Sequence, residues 1–258
     1  MSSLHRLWVN RLPQKERCGF KAFRQFNTAT VRSELSVFLK KKSRIDESMH
    51  TLFSGKGPFN QLAQRLIDRR CLPLKEVLES AETFERIRKG VRGPVVADLC
   101  CGHGLVGLLF AFLERSVKTV YLVDHRFPPS LSILLEIFDE CAPWVRPKVH
   151  LLQKKVKGIQ KDLPPRTTLI GIHACGARTD WVIQAGCQLQ GPIAIVPCCY
   201  TLQSPHQSTF RQELGLPLAI DIERTYTLKN AGYEIVWKEI PVELTPMNRI
   251  MLARPLNQ

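Results

Sequence analysis

The sequence predicts an α/β fold, a doubly wound and mostly parallel sheet preceded by a basic, partly helical N-terminal extension. Two observations carry this prediction. After Gly93-Pro94, short apolar runs alternate with helical stretches, and the first run empties into a glycine turn, Asp98-Leu99-Cys100-Cys101-Gly102-His103-Gly104. Alternation of this kind is the signature of βαβ units, whose crossovers need a helix between parallel strands.

The apolar runs are Val95–Leu99, Thr119–Val123, Lys148–Leu152, Thr168–Ile172 and Ile193–Val196. Strands covered by helices on both faces read as nearly continuous apolar runs, so these five are expected to be parallel. Leu105–Leu113 and Leu131–Phe138 are the expected crossover helices, placed on the sheet faces by right-handed connections. Tyr233–Ile240 and Arg249–Ala253 are expected as two further strands, joined by a loop with Pro241 and Pro246 and closing the sheet as an antiparallel hairpin.

Upstream, apolar positions recur every three or four residues from Asn60 to Lys89, which predicts two amphipathic helices broken near Leu72-Pro73 and packed on the following domain. Residues 1–58 lack sustained periodicity and carry the tract Lys40-Lys41-Lys42-Ser43-Arg44. The expected organisation is a basic extension over 1–58 that need not fold, a helical segment over 59–90 and a catalytic domain over 91–258.

Hydrophobic residues at 44% and charged residues at 23% suit a globular protein, and no apolar run is long enough to span a membrane. Charge is less ordinary. The 37 Lys and Arg against 23 Asp and Glu give +14, of which 19 basic and 9 acidic residues lie before Val91. Such an excess attracts polyanions by counterion release, RNA foremost; its bland alternative is a solvated basic tail. The nine cysteines form no C-x-x-C pair, which argues against a zinc ribbon, and their odd number and two adjacent pairs suit reduced thiols in the cytoplasm. The Arg-rich, acid-poor first 33 residues keep an organelle presequence as a second possibility for localisation.

In the glycine turn, Gly102 and Gly104 let the backbone approach a ligand closely. Gly107 completes a dinucleotide-like spacing, so the glycines alone leave NAD and FAD open. Asp98 shifts the balance, because a carboxylate ahead of the turn repels a pyrophosphate and suits a cationic amino acid. Twenty-six residues later the second run ends in Asp124, from where a carboxylate accepts ribose hydroxyls. Two acids at consecutive strand ends favour S-adenosylmethionine over NAD. Cys100 and Cys101 read mainly as small turn residues.

With DLCCGHG as an acid followed by a G-x-G turn, the chain resembles class I S-adenosylmethionine-dependent methyltransferases over about Val91 to Pro255. His173-Ala-Cys-Gly-Ala-Arg-Thr-Asp180 and Pro197-Cys-Cys-Tyr200 are similar to the H-x-C-G-x-x-T-D and P-C-C segments of one subgroup. That subgroup includes tRNA acceptor-stem ribose methylases, methyltransferase-like proteins and the glutathione-S-transferase C-terminal-domain-containing protein. The resemblance implies a Rossmann-like seven-stranded sheet with adenosylmethionine held by Asp98, Gly102, Gly104 and Asp124. Cys100, His125 and His173 border these motifs and complete the expected donor site. It also implies that chemistry takes place near the ends of the fourth and fifth strands.

The candidate catalytic residues are therefore His173, Cys198 and Asp180. One mechanism has His173 remove a proton from a hydroxyl or amine acceptor. The other has the Cys198 thiolate attack a pyrimidine ring. His173, Cys175, Cys198 and Cys199 could meet across neighbouring strand ends, but adjacent cysteines rarely hold one ion, and no metal is expected. Trp181 and the phenylalanines Phe20, Phe23 and Phe26 are candidates for base stacking, and Asn248-Arg249 for either turn capping or substrate contact. The expected function is RNA methylation (rRNA or tRNA). Protein methylation, with the extension docked on a ribosome, and a non-catalytic RNA-binding role are the alternatives.

Overall fold

The computed structural model describes residues 18–22, 35, 39, 44–200 and 209–256. A 3-10 helix (Glu47–Phe53) and two helices, α1 (Pro58–Asp68) and α2 (Leu74–Ile87), precede the sheet. Then follow β1 (Val95–Leu99), α3 (Leu105–Leu113), β2 (Thr119–Asp124), α4 (Pro129–Cys141), β3 (Val149–Gln153), β4 (Thr168–Ile172), α5 (Ala177–Leu189) and β5 (Ile193–Val196). The chain closes with α6 (Thr209–Leu214), α7 (Leu216–Asn230), β6 (Tyr233–Glu239) and β7 (Arg249–Pro255).

The seven strands form one sheet in the order β3-β2-β1-β4-β5-β7-β6. β1 to β5 run parallel, and β7 lies antiparallel between β5 and β6. The expected hairpin is present, with its second strand inserted against β5. Strand order reverses between β1 and β4, and in an open parallel sheet that is where a crevice opens beyond the carboxyl ends of the strands.

Each face of the sheet carries its own core. One face packs against α1 to α4 through residues such as Leu66, Val77, Phe84, Leu108, Phe110 and Phe138. The other packs against α5 and α7 through Val182, Ala185, Leu189 and Leu228. α3 is apolar nearly all round, which fits a helix buried between the sheet and α2. Phe84 of α2 meets Phe110 of α3 edge to face, with centroids 5.0 Å apart and planes at 84°, a geometry aromatic quadrupoles favour.

The N-terminal helices are integral to this core. Part of the segment expected as a basic extension joins them: Ile45, Met49, Leu52 and Phe53 are buried, and Asp46 caps the 3-10 helix through Ser48 N–H. Phe20, a candidate for stacking on bases, is instead 5% exposed and part of the core. Phe23, Phe26 and the Lys40–Lys42 tract lie outside the described residues. Inside α2, the side chains of Glu82 and Arg86 pair while fully buried. Glu82 also accepts the backbone N–H groups of Lys21 and Ala22, and Arg86 reaches the carbonyls of Gly19 and Glu239. The pair pins residues 19–22 and the end of β6 to one helix. Among the described residues, no helix is long and apolar enough to cross a membrane.

Candidate active site

The carboxyl ends of β1, β4 and β5 converge on a cavity of about 490 Å3. Its floor is Asp98, Cys100, Cys101, Gly102 and His103 after β1, with His173 after β4 and Cys198 after β5; Thr245 and Met247 enter from the β6–β7 loop. The remaining wall is α2, which contributes Lys75, Glu76, Glu79 and Ser80. A smaller cavity of about 260 Å3 holds Cys100, Asp124, His125, Lys154, Arg178 and Trp181. Cys100 borders both, so the two meet across the glycine turn.

The turn is bent as the sequence expects. Gly102 (φ 54°) and Gly104 (φ 75°) are left-handed, as is Cys100 (φ 59°), a residue type that rarely adopts this conformation. A Cβ on Gly102 would meet nothing within 4 Å, so the space above it is open to a ligand. Gly107 serves a different purpose from a phosphate cradle: a Cβ there would lie 2.5 Å from Leu122 Cδ2, and its N–H donates to Asp98 Oδ2 at 2.9 Å. The third glycine thus lets α3 start hard against the sheet.

Asp98 is 2% exposed. Burial pushes its carboxyl up to about 7, opposed by the Gly107 N–H and reinforced by the nearby Asp124. A buried acid at a cavity wall with a single N–H donor is the environment a cationic ammonium would relieve. Asp124 accepts Gly102 N–H at 2.9 Å on one oxygen and lies 2.7 Å from His125 Nδ1 on the other. Arg126 N–H also donates, at 3.3 Å, to the oxygen beside His125, so the oxygen that accepts Gly102 N–H is the one that keeps a lone pair for a hydroxyl. Burial raises the Cys100 thiol to about 11 and pushes the Cys101 thiol higher still, so both are neutral space-filling groups.

His173 takes a left-handed backbone (φ 56°) and places Nε2 2.8 Å from Glu79 Oε1. Glu79 comes from α2, 94 residues earlier. His103 completes this wall, its Nδ1 accepting Leu105 N–H at 3.1 Å and its Nε2 3.4 Å from Glu76. Burial pushes His103 down to about 4, so it is the neutral imidazole. The polar wall donated by α2 was not foreseen. Glu76 and Glu79 sit beside an apolar stripe at ordinary helical spacing, where a sequence cannot distinguish them from solvated side chains.

Four other candidates resolve differently. Cys198 lines the cavity, but burial, then the thiols of Cys175 and Cys199, push its own thiol strongly upward, which removes the thiolate needed for attack on a ring. Asp180 is brought elsewhere: it does not border the cavity and pairs with Arg224 of α7 at 2.7 Å. Asn248 Nδ2 donates to Ile240 O at 3.0 Å, and Arg249 pairs with the buried Asp221 at 2.7 Å, so this dipeptide closes the β6–β7 loop. Trp181 borders the smaller cavity, with the Lys157 ammonium 5.7 Å from its ring centroid.

Residues 73–205 match the family described as a methyltransferase domain. The chain is similar to the glutathione S-transferase C-terminal domain-containing protein of Xenopus laevis, at 25% identity over 108 residues. That match covers 42% of this chain and 16% of the frog protein's length. Among solved structures, it is similar to the methyltransferase domain of bacterial CtHen1 (TM-score 0.45, 15% identity, covering 67% of this chain and 95% of that one). It is also similar to precorrin-6y C5,15-methyltransferase from Geobacter metallireducens (TM-score 0.44, 18% identity, 70% and 88% covered).

Proposed function

We propose that this chain, which belongs to the methyltransferase-domain family and uses S-adenosylmethionine, methylates RNA. Adenosylmethionine supplies an electrophilic methyl group on a sulfonium sulfur. Asp98, Gly102 and Gly104 would hold its amino-acid end, Asp124 and His125 its ribose, and the Cys100 backbone would pass between them. The open space above Gly102 and the buried Asp98 carboxyl fit that ligand.

The acceptor class rests on the +14 charge of the chain, since a field of that size concentrates polyanions. The chemistry rests on His173. With Nε2–H donated to Glu79, the other ring nitrogen carries a lone pair and can take the proton of an acceptor hydroxyl or amine. Glu79 fixes the ring and stabilises the imidazolium that forms, as a carboxylate does in a hydrolase triad. Positioning in the cavity supplies most of the remaining acceleration. The raised Cys198 thiol favours this route over thiolate attack. Nine unbridged cysteines suit a reducing compartment such as the cytoplasm.

One observation favours a second reading, methylation of a protein amine. Glu76 and Glu79 both line the cavity, and an acidic wall suits a cationic side chain. Transfer of a labelled methyl group into a lysate of cells lacking the protein, followed by ribonuclease or protease, separates the two. Label released by ribonuclease is the expected outcome, and label released only by protease overturns the RNA reading. His173→Ala should lower kcat by about 10²-fold or more with donor affinity kept, the size of a lost general base. An unchanged kcat would remove His173 from the chemistry.

A further inference from the structure

Beside the cavity, the Sγ atoms of Cys175, Cys198 and Cys199 lie 2.9, 3.2 and 3.6 Å from one another. We infer that these three cysteines form a zinc site that staples the loop after β4 to the loop after β5. The inference stands apart from the choice of methyl acceptor and departs from the expectation that adjacent cysteines would not share an ion.

Folding supplies the third donor. Cys175 is 23 residues from Cys198 in sequence, and the backbone brings them together: His173 N–H donates to Val196 O at 3.0 Å, and Gly176 N–H to Cys199 O at 3.3 Å. Gly176 (φ 62°, ψ −132°) turns the β4 loop in a conformation open to glycine, which places Cys175 against the β5 loop. The donors are therefore preorganised by two crossing backbone hydrogen bonds and a glycine turn, as a metal site requires.

The donor set is all sulfur, which selects soft or borderline cations over magnesium and calcium. A zinc ion needs Zn–S distances of about 2.3 Å. For a sulfur triangle of these dimensions, an ion roughly 1.3 Å above its plane reaches all three at that distance. Tetrahedral angles at that bond length put the sulfurs about 3.8 Å apart, so the triangle opens by up to about 1 Å as an ion seats, with the fourth position left to water or an entering ligand.

Zinc binds cysteine as thiolate, so an ion entering this cluster releases protons to solvent as it binds. Arg178, whose charge acts on Cys175, offsets the surplus negative charge of three thiolates around one dication. Cys199 is exposed, which gives the ion a path in from solvent.

The test uses the full chain, reduced and stripped of metal, titrated with Zn²⁺ against a chromophoric chelator, with iodoacetamide labelling read by mass spectrometry. The expected result is one equivalent of zinc per chain and protection of Cys175, Cys198 and Cys199 from alkylation. Cys175→Ser and Cys198→Ser should each weaken binding by about a hundredfold or more, whereas Cys187→Ser keeps the full equivalent. Co²⁺ in place of zinc should give the intense visible bands of tetrahedral thiolate coordination. Absence of stoichiometric zinc, or equal alkylation of the three cysteines with and without it, overturns the site. The wild-type labelling pattern decides the matter even if a serine variant fails to fold. A protein that binds zinc yet methylates nothing leaves this site intact and removes the reading above.

Discussion

Burial raises the Asp98 carboxyl to about 7 because the group sits under the cavity floor with one backbone N–H for compensation. Unfolded, the acid titrates near its ordinary 3.8; folded, it holds its proton up to about 7, so between those values rising pH costs the free protein stability. Donor binding runs the other way, since an ammonium beside Asp98 favours the carboxylate. Affinity for adenosylmethionine should therefore fall as pH drops through 7, by roughly five- to tenfold from pH 7.5 to pH 6. Calorimetric titration at the two pH values checks this. Asp98→Asn should bind weakly with no such slope, and a pH-independent wild type would break the link between Asp98 and the donor.

At the scale of elements, α2 does more than cover the sheet. Its apolar stripe packs on α3, Glu79 orients His173, and the Glu82–Arg86 pair ties down residues 19–22 and the end of β6. Removing one partner of a buried ion pair leaves the other uncompensated, which costs more than the pair contributes. Glu82→Gln should lower unfolding free energy by about 3 kcal/mol in a urea titration, with the denaturant slope little changed. A loss below about 1 kcal/mol would mean that water reaches Arg86. The existence of α2 was legible from its three-and-four periodicity. Its polar cargo was not, because burial of Glu79, Ser80, Glu82, Thr83 and Arg86 depends on what packs around the helix from elsewhere in the chain.

For the whole molecule, the +14 charge makes a statement about salt. If RNA is the acceptor, its affinity should fall steeply with ionic strength, by about 10²-fold or more between roughly 50 and 200 mM salt, as phosphate contacts exchange with counterions. Filter binding of total RNA by the full chain measures this slope. A flat dependence would detach the basic excess from RNA and favour the acidic α2 wall as the guide to the substrate.

The sheet and the glycine turn after its first strand are written in the sequence. Val95–Leu99, Thr168–Ile172 and Ile193–Val196 were legible to the residue, since buried parallel strands must be continuously apolar and are bounded by the turns that end them. Asp98, Gly102 and Gly104, proposed above to hold the donor, stand together in one strand-turn-helix, and Asp124 ends the next strand, so local pattern was enough to place them at neighbouring strand ends. What surrounds His173 and Cys198 depends on tertiary structure. Glu79 reaches His173 from 94 residues away, Cys175 meets Cys198 and Cys199 only when β4 and β5 are neighbours, and Asp180 turns to Arg224 rather than the cavity. Such placements depend on which strand lies beside which and on what covers the sheet, and no periodicity along one segment encodes that.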